Sequence, residues 1–475
     1  MTRSARVFTA LLLALVLGAL AVPFGLHYGP QVAQLLTAPP ADAEPDIPAI
    51  QQTPRDVTAP TVVDQLDAHA PTPDPAVLAP LLTAALQVPG DTPVSGVVLD
   101  AQTGDVLFDQ QGSEPQLPAS NIKVLTATAV LAKLAPDHRM TTSVLAGGTG
   151  AEGVLVLRGG GDVLLGSGES DPDNVRGHAG LATLAERTAS AVGSGEPYRL
   201  VLDDTFFVGD PLNPTWQPGD IEAGEIAPVY PLAINSSWAD ESQQSGARNP
   251  DAAMAAATVF REALIAAGVE VEEGIERQPA AENAVVLASV ESATVEAQVE
   301  HMLLTSDNYL AEVLARLAAD ASGRPASFGG GLETIGEVIT ELEVPTEGMV
   351  LGDAAGLSPR NRVAPRQLAD VMRTLLRSDS RALRHVLHGL PVASLSGTLA
   401  DRYDDGDSPV FAGAGLVRAK TGTLNAVTAL SGHVVSADGR LLVFSFIASG
   451  LNGTTDPARA AVDAAAAVLA TCGCR

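Results

Sequence analysis

Two short runs near residue 100 are rich in apolar and β-branched side chains, and four turn residues at 101–104 separate them. The runs at 94–100 and 105–109 therefore predict a β-hairpin. Apolar positions at helical spacing predict a helix at 120–134 directly afterwards. Ser120 is suited to the N-cap or the first turn of that helix.

The pattern changes at about residue 140. Up to about residue 290, glycines and short β-like runs such as 154–157 and 200–202 dominate, and a helix at 252–267 ends at Gly268. The block at 140–290 is long enough to form an inserted domain or two small ones.

The last part of the chain is helical at first and rich in strands afterwards. A helix is predicted at 302–317, and candidate strands lie at 417–420, 427–435 and 441–447. Asp438 and Gly439 are a hairpin turn signal between the last two strands. An alanine-rich stretch at 456–470 predicts a final helix with Pro457 at its first position.

The N-terminal segment is typical of export. Two arginines precede an apolar run at 7–26, and Ala19-Leu20-Ala21 is a cleavage-like sequence. Residues 1–36 are therefore either a signal peptide that is removed or a membrane anchor that remains. Both alternatives place the rest of the chain in the extracytoplasmic cell envelope, secreted or anchored. A proline- and alanine-rich stretch at 37–76 predicts a semi-extended linker.

Composition excludes several classes of protein. The 475 residues predict two or three domains, and 46% hydrophobic against 18% charged residues excludes a disordered chain. The 33 prolines and 45 glycines follow no fibrous repeat. A net charge of −28 repels polyanions, so we expect no nucleic-acid partner. The two cysteines, Cys472 and Cys474, are either bridged or free.

Lysine is rare enough to be informative. Among 28 basic residues only Lys123, Lys133 and Lys420 are lysines. Arginine stays protonated in proteins, whereas a buried lysine can lose its proton and act as a base. Each lysine is therefore a candidate for chemistry, although Lys133 is expected to be a solvated helix position.

Three short motifs carry candidate chemistry. Residues 120–123 read S-x-x-K, and this spacing brings the Lys123 amine within reach of the Ser120 hydroxyl on one helix face. Residues 306–308 read S-D-N, at the start of a helix or within it, and offer a hydroxyl at Ser306 and a carboxamide at Asn308. Lys420 begins a K-T-G run on a candidate strand, and the residues that follow it are Thr421, Gly422 and Thr423. The lysine and threonine can hold a carboxylate. The glycine lets a substrate backbone lie against the strand.

In this order the three motifs are the set of penicillin-binding proteins and serine β-lactamases. Ser306 lies 186 residues after Ser120, counted from 120 to 306, which is more than a compact β-lactamase needs. The chain from about 90 to 475 resembles the D-alanyl-D-alanine carboxypeptidase/endopeptidase family of the penicillin-binding protein 4 type, in which extra domains follow the nucleophile helix. The resemblance extends to residues 117–123, 306–312, 353–358 and 390–399.

One stretch departs from the family pattern. The family often has D-G-S-G-L-S where this chain has Asp353-Ala354-Ala355-Gly356-Leu357-Ser358. We expect a looser loop there, outside the three catalytic motifs.

The resemblance implies an α/β (α+β) fold. Its β-lactamase/transpeptidase-like catalytic domain, at 77–139 and 291–475, has an antiparallel sheet flanked by helices. The large β-rich insertion after the nucleophile helix is the block at 140–290.

The resemblance also implies a mechanism. Ser120 attacks the penultimate D-alanine carbonyl of a peptidoglycan stem peptide, and Lys123, kept neutral by burial and by the positive charge of Lys420, takes the proton. Ser306 relays a proton to the leaving amine, and Asn308 holds a substrate amide. Backbone N–H groups of Ser120 and Thr423 form the oxyanion hole, and water releases the acyl group. Thr421 and Thr423 bind the terminal carboxylate.

Further implications concern ligands and cofactors. β-Lactam antibiotics are expected to acylate Ser120 as covalent inhibitors. No cofactor is expected, and His385 and His388 lack the partners of a metal site. The residues expected near the stem-peptide diamino acid are Asp203, Phe207, Arg360 and Asn425. The alternatives are a serine β-lactamase and a catalytically silent wall-binding protein on the same fold.

Overall fold

The structure is a computed structural model that describes residues 66–473, except for 68, 91, 148–152, 193–196 and 407. The predictions for residues 1–36 lie outside the described residues, as does most of the predicted linker. None of the helices within the described part of the chain is both long and apolar enough to span a bilayer.

The described residues form twelve strands and eleven α-helices. The strands are β1 (Val94–Asp100), β2 (Val106–Gln110), β3 (Thr141–Ala146), β4 (Val154–Arg158), β5 (Asp162–Leu165), β6 (Tyr198–Asp203), β7 (Leu232–Ile234), β8 (Val271–Arg277), β9 (Val285–Glu291), β10 (Arg418–Leu424), β11 (Val427–Val435) and β12 (Leu441–Ser449). The helices are α1 (Pro75–Ala85), α2 (Ile122–Lys133), α3 (Leu181–Ala191), α4 (Pro218–Glu222), α5 (Ala252–Ala266), α6 (Val295–Thr305), α7 (Asn308–Ala321), α8 (Phe328–Glu341), α9 (Pro365–Arg377), α10 (Arg381–His388) and α11 (Thr455–Thr471).

The first sheet joins two distant parts of the chain. Its strand order is β10-β11-β12-β1-β2, and every neighbouring pair is antiparallel. The predicted hairpin at 94–109 and the three predicted C-terminal strands are confirmed. β1 is buried along its whole length because β12 and β2 flank it and helices cover both of its faces.

Side chains of β1 alternate between two hydrophobic cores, as expected for a strand. Val97 and Leu99 pack into the core that contains α2, α6, α7 and α9. Val98 packs on the opposite face, in the core that contains α1 and α11. The sheet is therefore the middle layer of three, with the motif-bearing helices α2 and α7 on one side.

A second sheet is built from residues 141–291. Its order is β8-β6-β4-β3-β9, with parallel pairs among β8, β6 and β4 and antiparallel pairs on either side of β3. Helices α3 and α5 share its hydrophobic core. A short parallel pair, β5 and β7, lies in the same block of sequence.

Two sequence predictions about helices need correction. The helix predicted at 302–317 is interrupted, because Ser306 adopts a left-handed backbone with φ 60° and Asp307 then caps α7 by accepting the Leu310 N–H. The final helix begins at Thr455, so Pro457 is its third residue, where the N–H has no helical partner in any case.

Cys472 is buried and disulfide-bonded, and Cys474 lies outside the described residues.

Candidate active site

Ser120 lies in a single 3-10 turn, Ala119–Asn121, that leads into α2. Asn121 rather than Ser120 is the N-cap residue of α2, and its side chain makes no capping hydrogen bond. Ala119 has a left-handed backbone with φ 47°. The helix that follows is buried from Ile122 to Leu131, so the turn is fixed on the core of the protein.

Two glycines press against this turn. A β-carbon added to Gly356 would lie 2.1 Å from the Ala119 carbonyl oxygen, and one added to Gly422 would lie 2.7 Å from Asn121 Nδ2. Gly422 of the K-T-G motif is therefore required because β10 passes close to the turn at Ala119–Asn121. Its predicted role toward a substrate backbone stays a prediction.

Lys123 is fully buried one turn after Ser120. Its Nζ lies 3.0 Å from Ser120 Oγ, 2.6 Å from Asn308 Oδ1 and 2.5 Å from the Ala355 carbonyl oxygen. The asparagine and the carbonyl can each accept one N–H of the amine. The remaining position on the nitrogen faces Ser120, where it holds a hydrogen in the ammonium form and a lone pair in the neutral amine.

The S-D-N motif occupies the break between α6 and α7. Ser306 Oγ accepts a hydrogen bond from Lys420 Nζ at 3.0 Å. Asn308 is the first residue of α7, and its Nδ2 donates to the Glu225 carbonyl oxygen at 2.9 Å and to Glu225 Oε2 at 3.3 Å. Because these contacts and Lys123 engage the carboxamide, its predicted contact with a substrate amide stays a prediction.

The K-T-G motif lies on β10, at the edge of the first sheet. Lys420 is fully buried and also donates to the Thr421 carbonyl oxygen at 2.9 Å. Thr421 Oγ1 lies 2.6 Å from Thr398 Oγ1, while Thr423 is exposed. Alternation along the strand places Thr421 and Thr423 on one side and Lys420 on the other.

Burial dominates the electrostatics of the two amines. Desolvation lowers the pKa of Lys123 to about 8, although the carboxylates of Asp353, Asp307, Glu312 and Glu225 oppose the effect. The pKa of Lys420 falls well below its usual range through desolvation, and the positive charge of Lys123 lowers it further.

The sequence-based expectation was that burial and the charge of Lys420 together keep Lys123 neutral. Burial of Lys123 is found, and the positive charge of Lys123 lowers the pKa of Lys420. The two amines are therefore coupled, and the loss of a proton belongs to the pair rather than to one of them.

The loop at 353–358 is tighter than the sequence suggested. Asp353 is buried and accepts hydrogen bonds from five donors: the side chains of Trp216 and Asn361 and the backbone N–H groups of Gly356, Leu357 and Ser358. Glu312 accepts the N–H groups of Ala354 and Ala355 at 2.7 and 2.9 Å. The expectation of a looser loop was wrong. The loop does lie outside the three motifs in sequence, but its Ala355 carbonyl contacts Lys123 directly.

The four residues expected near the diamino acid have different surroundings. Arg360 and Asn425 are exposed. Asp203 is buried at the end of β6, where its carboxylate accepts from Thr205 and from the Ala280 N–H. Phe207 is buried with its ring 5.1 Å from the Arg316 guanidinium. Their substrate contacts stay predictions.

A cavity of about 190 Å³ opens beside the S-D-N motif. It is lined by Ser306, Asp307 and Asn308 on one side and by Glu225 and Arg248 on the other. Glu225 and Arg248 belong to the block at 140–290, the middle block. The sequence analysis did not identify Glu225, Thr398 or Ala355 as site residues. No motif spacing could have identified them, because each contacts its partner from a distant part of the chain.

Comparisons with known proteins identify the family of the chain. The family model described as the D-Ala-D-Ala carboxypeptidase 3 (S13) family matches residues 78–249 and 239–471. The chain is 36% identical over 446 residues to Carboxypeptidase DacB of Mycolicibacterium smegmatis, covering 93% of this chain and 94% of that one. It is 34% identical over 400 residues to Carboxypeptidase Rv3627c of Mycobacterium tuberculosis, covering 83% and 84%.

A solved structure supports the fold. The crystal structure of penicillin binding protein 4 (dacB) from Haemophilus influenzae superposes with a TM-score of 0.66 at 22% identity, covering 82% of this chain and 98% of that chain. The predicted fold class and the resemblance to the penicillin-binding protein 4 type are confirmed.

Proposed function

Because the chain belongs to the D-Ala-D-Ala carboxypeptidase 3 (S13) family, we propose that it is a serine-type D-Ala-D-Ala carboxypeptidase/endopeptidase of peptidoglycan stem peptides. The observation that carries the proposal is the buried Lys123 amine, 3.0 Å from Ser120 Oγ and with its pKa lowered to about 8. An amine in this state can take the serine proton close to neutral pH.

In the acylation step the Ser120 oxygen forms a bond to the carbonyl carbon of the penultimate D-alanine. Its proton passes to the neutral Lys123, and the carbonyl oxygen becomes an oxyanion. The backbone N–H groups of Ser120 and Thr423 are the proposed oxyanion donors, each contributing about 3 kcal/mol of transition-state stabilisation.

The tetrahedral intermediate collapses with cleavage of the peptide bond. The proton gained by Lys123 returns to the leaving amine, and the Ser306 hydroxyl is the proposed relay. Lys420 supports this role because its Nζ donates to Ser306 Oγ and so orients that hydroxyl. Water then attacks the ester carbonyl, releases the shortened stem peptide and regenerates Ser120.

Substrate binding involves the outer side of β10. Thr421 and Thr423 are proposed to hold the terminal carboxylate, with Gly422 between them. Thr398 belongs to this set because its Oγ1 shares a hydrogen bond with Thr421. The diamino acid of the stem peptide is proposed to lie near Asp203, Phe207, Arg360 and Asn425.

The proposed function also assigns roles to the parts of the chain. Residues 77–139 and 291–475 form the catalytic domain, and 140–290 form the insertion. An enzyme of peptidoglycan works in the cell envelope, and we propose that residues 1–36 direct the chain there, as a cleaved signal or as an anchor. β-Lactams mimic the D-Ala-D-Ala unit and are proposed to acylate Ser120.

Labelling with a fluorescent penicillin tests the function. A stable label on Ser120 that is absent from Ser120→Ala supports the peptidase. Rapid turnover of the label would indicate a β-lactamase, and no label would indicate a silent binding protein. Mass spectrometry of products from monomeric and cross-linked muropeptides then separates carboxypeptidase from endopeptidase activity.

A further inference from the structure

Three consecutive residues at the start of α7 are joined to the block at 140–290. Asp307 accepts a hydrogen bond from the Ser236 hydroxyl, and Asn308 donates to Glu225. The Tyr309 hydroxyl accepts the Tyr230 N–H at 2.9 Å and donates to the Pro228 carbonyl oxygen at 3.2 Å. The middle block therefore forms one wall of the cavity and also holds the S-D-N motif in position.

The backbone that carries Glu225 is itself held in place. Arg248 Nε donates to the Gly224 carbonyl oxygen at 2.7 Å, and its guanidinium lies 3.6 Å from the ring centroid of Trp238. Gly224 has φ 75°, and a β-carbon there would lie 1.8 Å from the Gly246 carbonyl oxygen. Glu225 thus projects toward Asn308 from a defined position.

The carboxamide of Asn308 has an orientation that Glu225 determines. Its Oδ1 must face Lys123 to accept a hydrogen bond from the amine. In this orientation Nδ2 points the other way and needs an acceptor there. Glu225 supplies that acceptor twice, with its carbonyl oxygen and with Oε2. A flipped carboxamide would point an N–H at the Lys123 amine and leave Oδ1 against two Glu225 oxygens.

We propose that Glu225 is a positioning residue for the reaction: acting through Asn308, it holds the Lys123 amine in line with Ser120, and it places its carboxylate on the far side of the Asn308 carboxamide from that amine. The proposal rests on the proposed function, since it assigns Glu225 to the acylation step on Ser120. It also gives the middle block a part in the chemistry of the catalytic lysine.

Other titratable groups face Lys123 as well. They are Asp307 and Glu312 on α7, Asp353 in the loop before α9, and Lys420 on β10. Asp353 and Glu312 are buried and accept backbone N–H groups, so their removal would leave unpaired donors in the core. Glu225 is exposed to the cavity, so its charge can be removed while the fold is kept.

The test compares Glu225→Gln, Glu225→Ala and the control Glu222→Gln, an exposed glutamate on α4, in the full-length chain. The second-order rate of acylation by a penicillin is measured against pH, with melting temperatures recorded in parallel. The acylation rate is expected to rise with pH (the rising limb) to a maximal value (the plateau). Glu225 raises the pKa of Lys123, so Glu225→Gln should move the rising limb to lower pH, by roughly half a pH unit or less, with the plateau nearly unchanged.

Glu225→Ala should move the limb in the same direction and lower the plateau about fivefold, because the carboxamide of Asn308 keeps only the backbone acceptor. Glu222→Gln should match the wild type in both. A limb that stays in place in both Glu225 variants, or a plateau loss that tracks a fall in melting temperature, overturns the proposal. Failure of the wild type to acylate on Ser120 would instead overturn the proposed function.

Discussion

The carbonyl oxygen of Ala355 accepts a hydrogen bond from Lys123 Nζ at 2.5 Å, although 232 residues separate the two along the chain. With Asn308 Oδ1 as the second acceptor, this bond leaves one position on the amine, and that position faces Ser120. The loop at 353–358 therefore helps to orient Lys123, the proposed base, and Asp353 holds the loop in place through its hydrogen bonds.

Gly356 gives a direct test of this loop. Its φ is 100°, and a β-carbon there would meet the carbonyl of Ala119 beside the nucleophile. Gly356→Ala should displace the loop from the Ser120 turn and reduce penicillin acylation at least about tenfold. The rate of labelling by a fluorescent penicillin measures the effect.

Gly336 is the matched control. It lies in α8, and no atom outside its own helix lies within 4 Å of where a β-carbon would be, so Gly336→Ala should keep the wild-type rate and stabilise the fold by about 1 kcal/mol. A Gly356→Ala variant that labels as fast as wild type would mean that the loop does not position Lys123.

Lys123 and Lys133 give a second comparison, since both lie on α2. Lys123→Arg should abolish acylation, because guanidinium keeps its proton and cannot act as the base. Lys133 forms a surface ion pair with Glu341 at 3.0 Å, which arginine can also form. Intact-protein mass spectrometry after incubation with penicillin should show an adduct for Lys133→Arg and none for Lys123→Arg.

The sequence was sufficient to predict the three motifs and the strands and helices that carry them. Periodicity and turn residues are local signals, and they placed β1, β2, α2 and the last three strands correctly. The break at Ser306 was not predicted, because the apolar spacing continues across it. That break depends on the left-handed backbone of Ser306 and the cap formed by Asp307.

The contacts around the motifs could not be predicted from sequence. Ala355 contributes a backbone carbonyl, which no residue type signals. Glu225 and Thr398 meet their partners only after folding, and a lone glutamate or threonine is common at any surface. The lowered pKa of Lys123 and that of Lys420 also depend on burial and on nearby charges that are known only from the structure.

Lys420 should affect both the rate of acylation and its pH dependence. Repulsion between the two amines lowers the pKa of each, so Lys420→Gln should move the rising part of the pH–rate profile to higher pH. The maximal rate should fall about tenfold or more, since Ser306 loses the amine that orients its hydroxyl. A rising part that stays in place or moves to lower pH would mean that Lys420 does not lower the pKa of Lys123.

Asp162 on β5 gives a prediction about stability. It is buried, accepts only the Leu164 N–H in the described structure, and burial raises its pKa to about 7. A carboxyl that binds its proton more tightly in the folded state destabilises the fold as pH rises from about 4 to about 7. Asp162→Asn removes this loss and should stabilise the protein on the order of a few kcal/mol at most at about pH 8.

Thermal melting at about pH 4 and about pH 8 measures this effect. The gain from Asp162→Asn should be largest at the higher pH, and Asp137→Asn, at an exposed position, is the control. An equal change in melting temperature at both values would mean that the Asp162 carboxylate is already ionised in the folded protein at low pH.

The proposed mechanism depends on a neutral Lys123 amine as the base that activates Ser120. The second-order rate of acylation of the wild-type protein by a β-lactam, measured across the pH range, tests this role. We predict a rate that rises with pH, with its midpoint near 8, where burial has placed the pKa of Lys123, and that levels off at higher pH. A rate that is constant across this range, or that falls as pH rises toward 8, would mean that Lys123 is not the base.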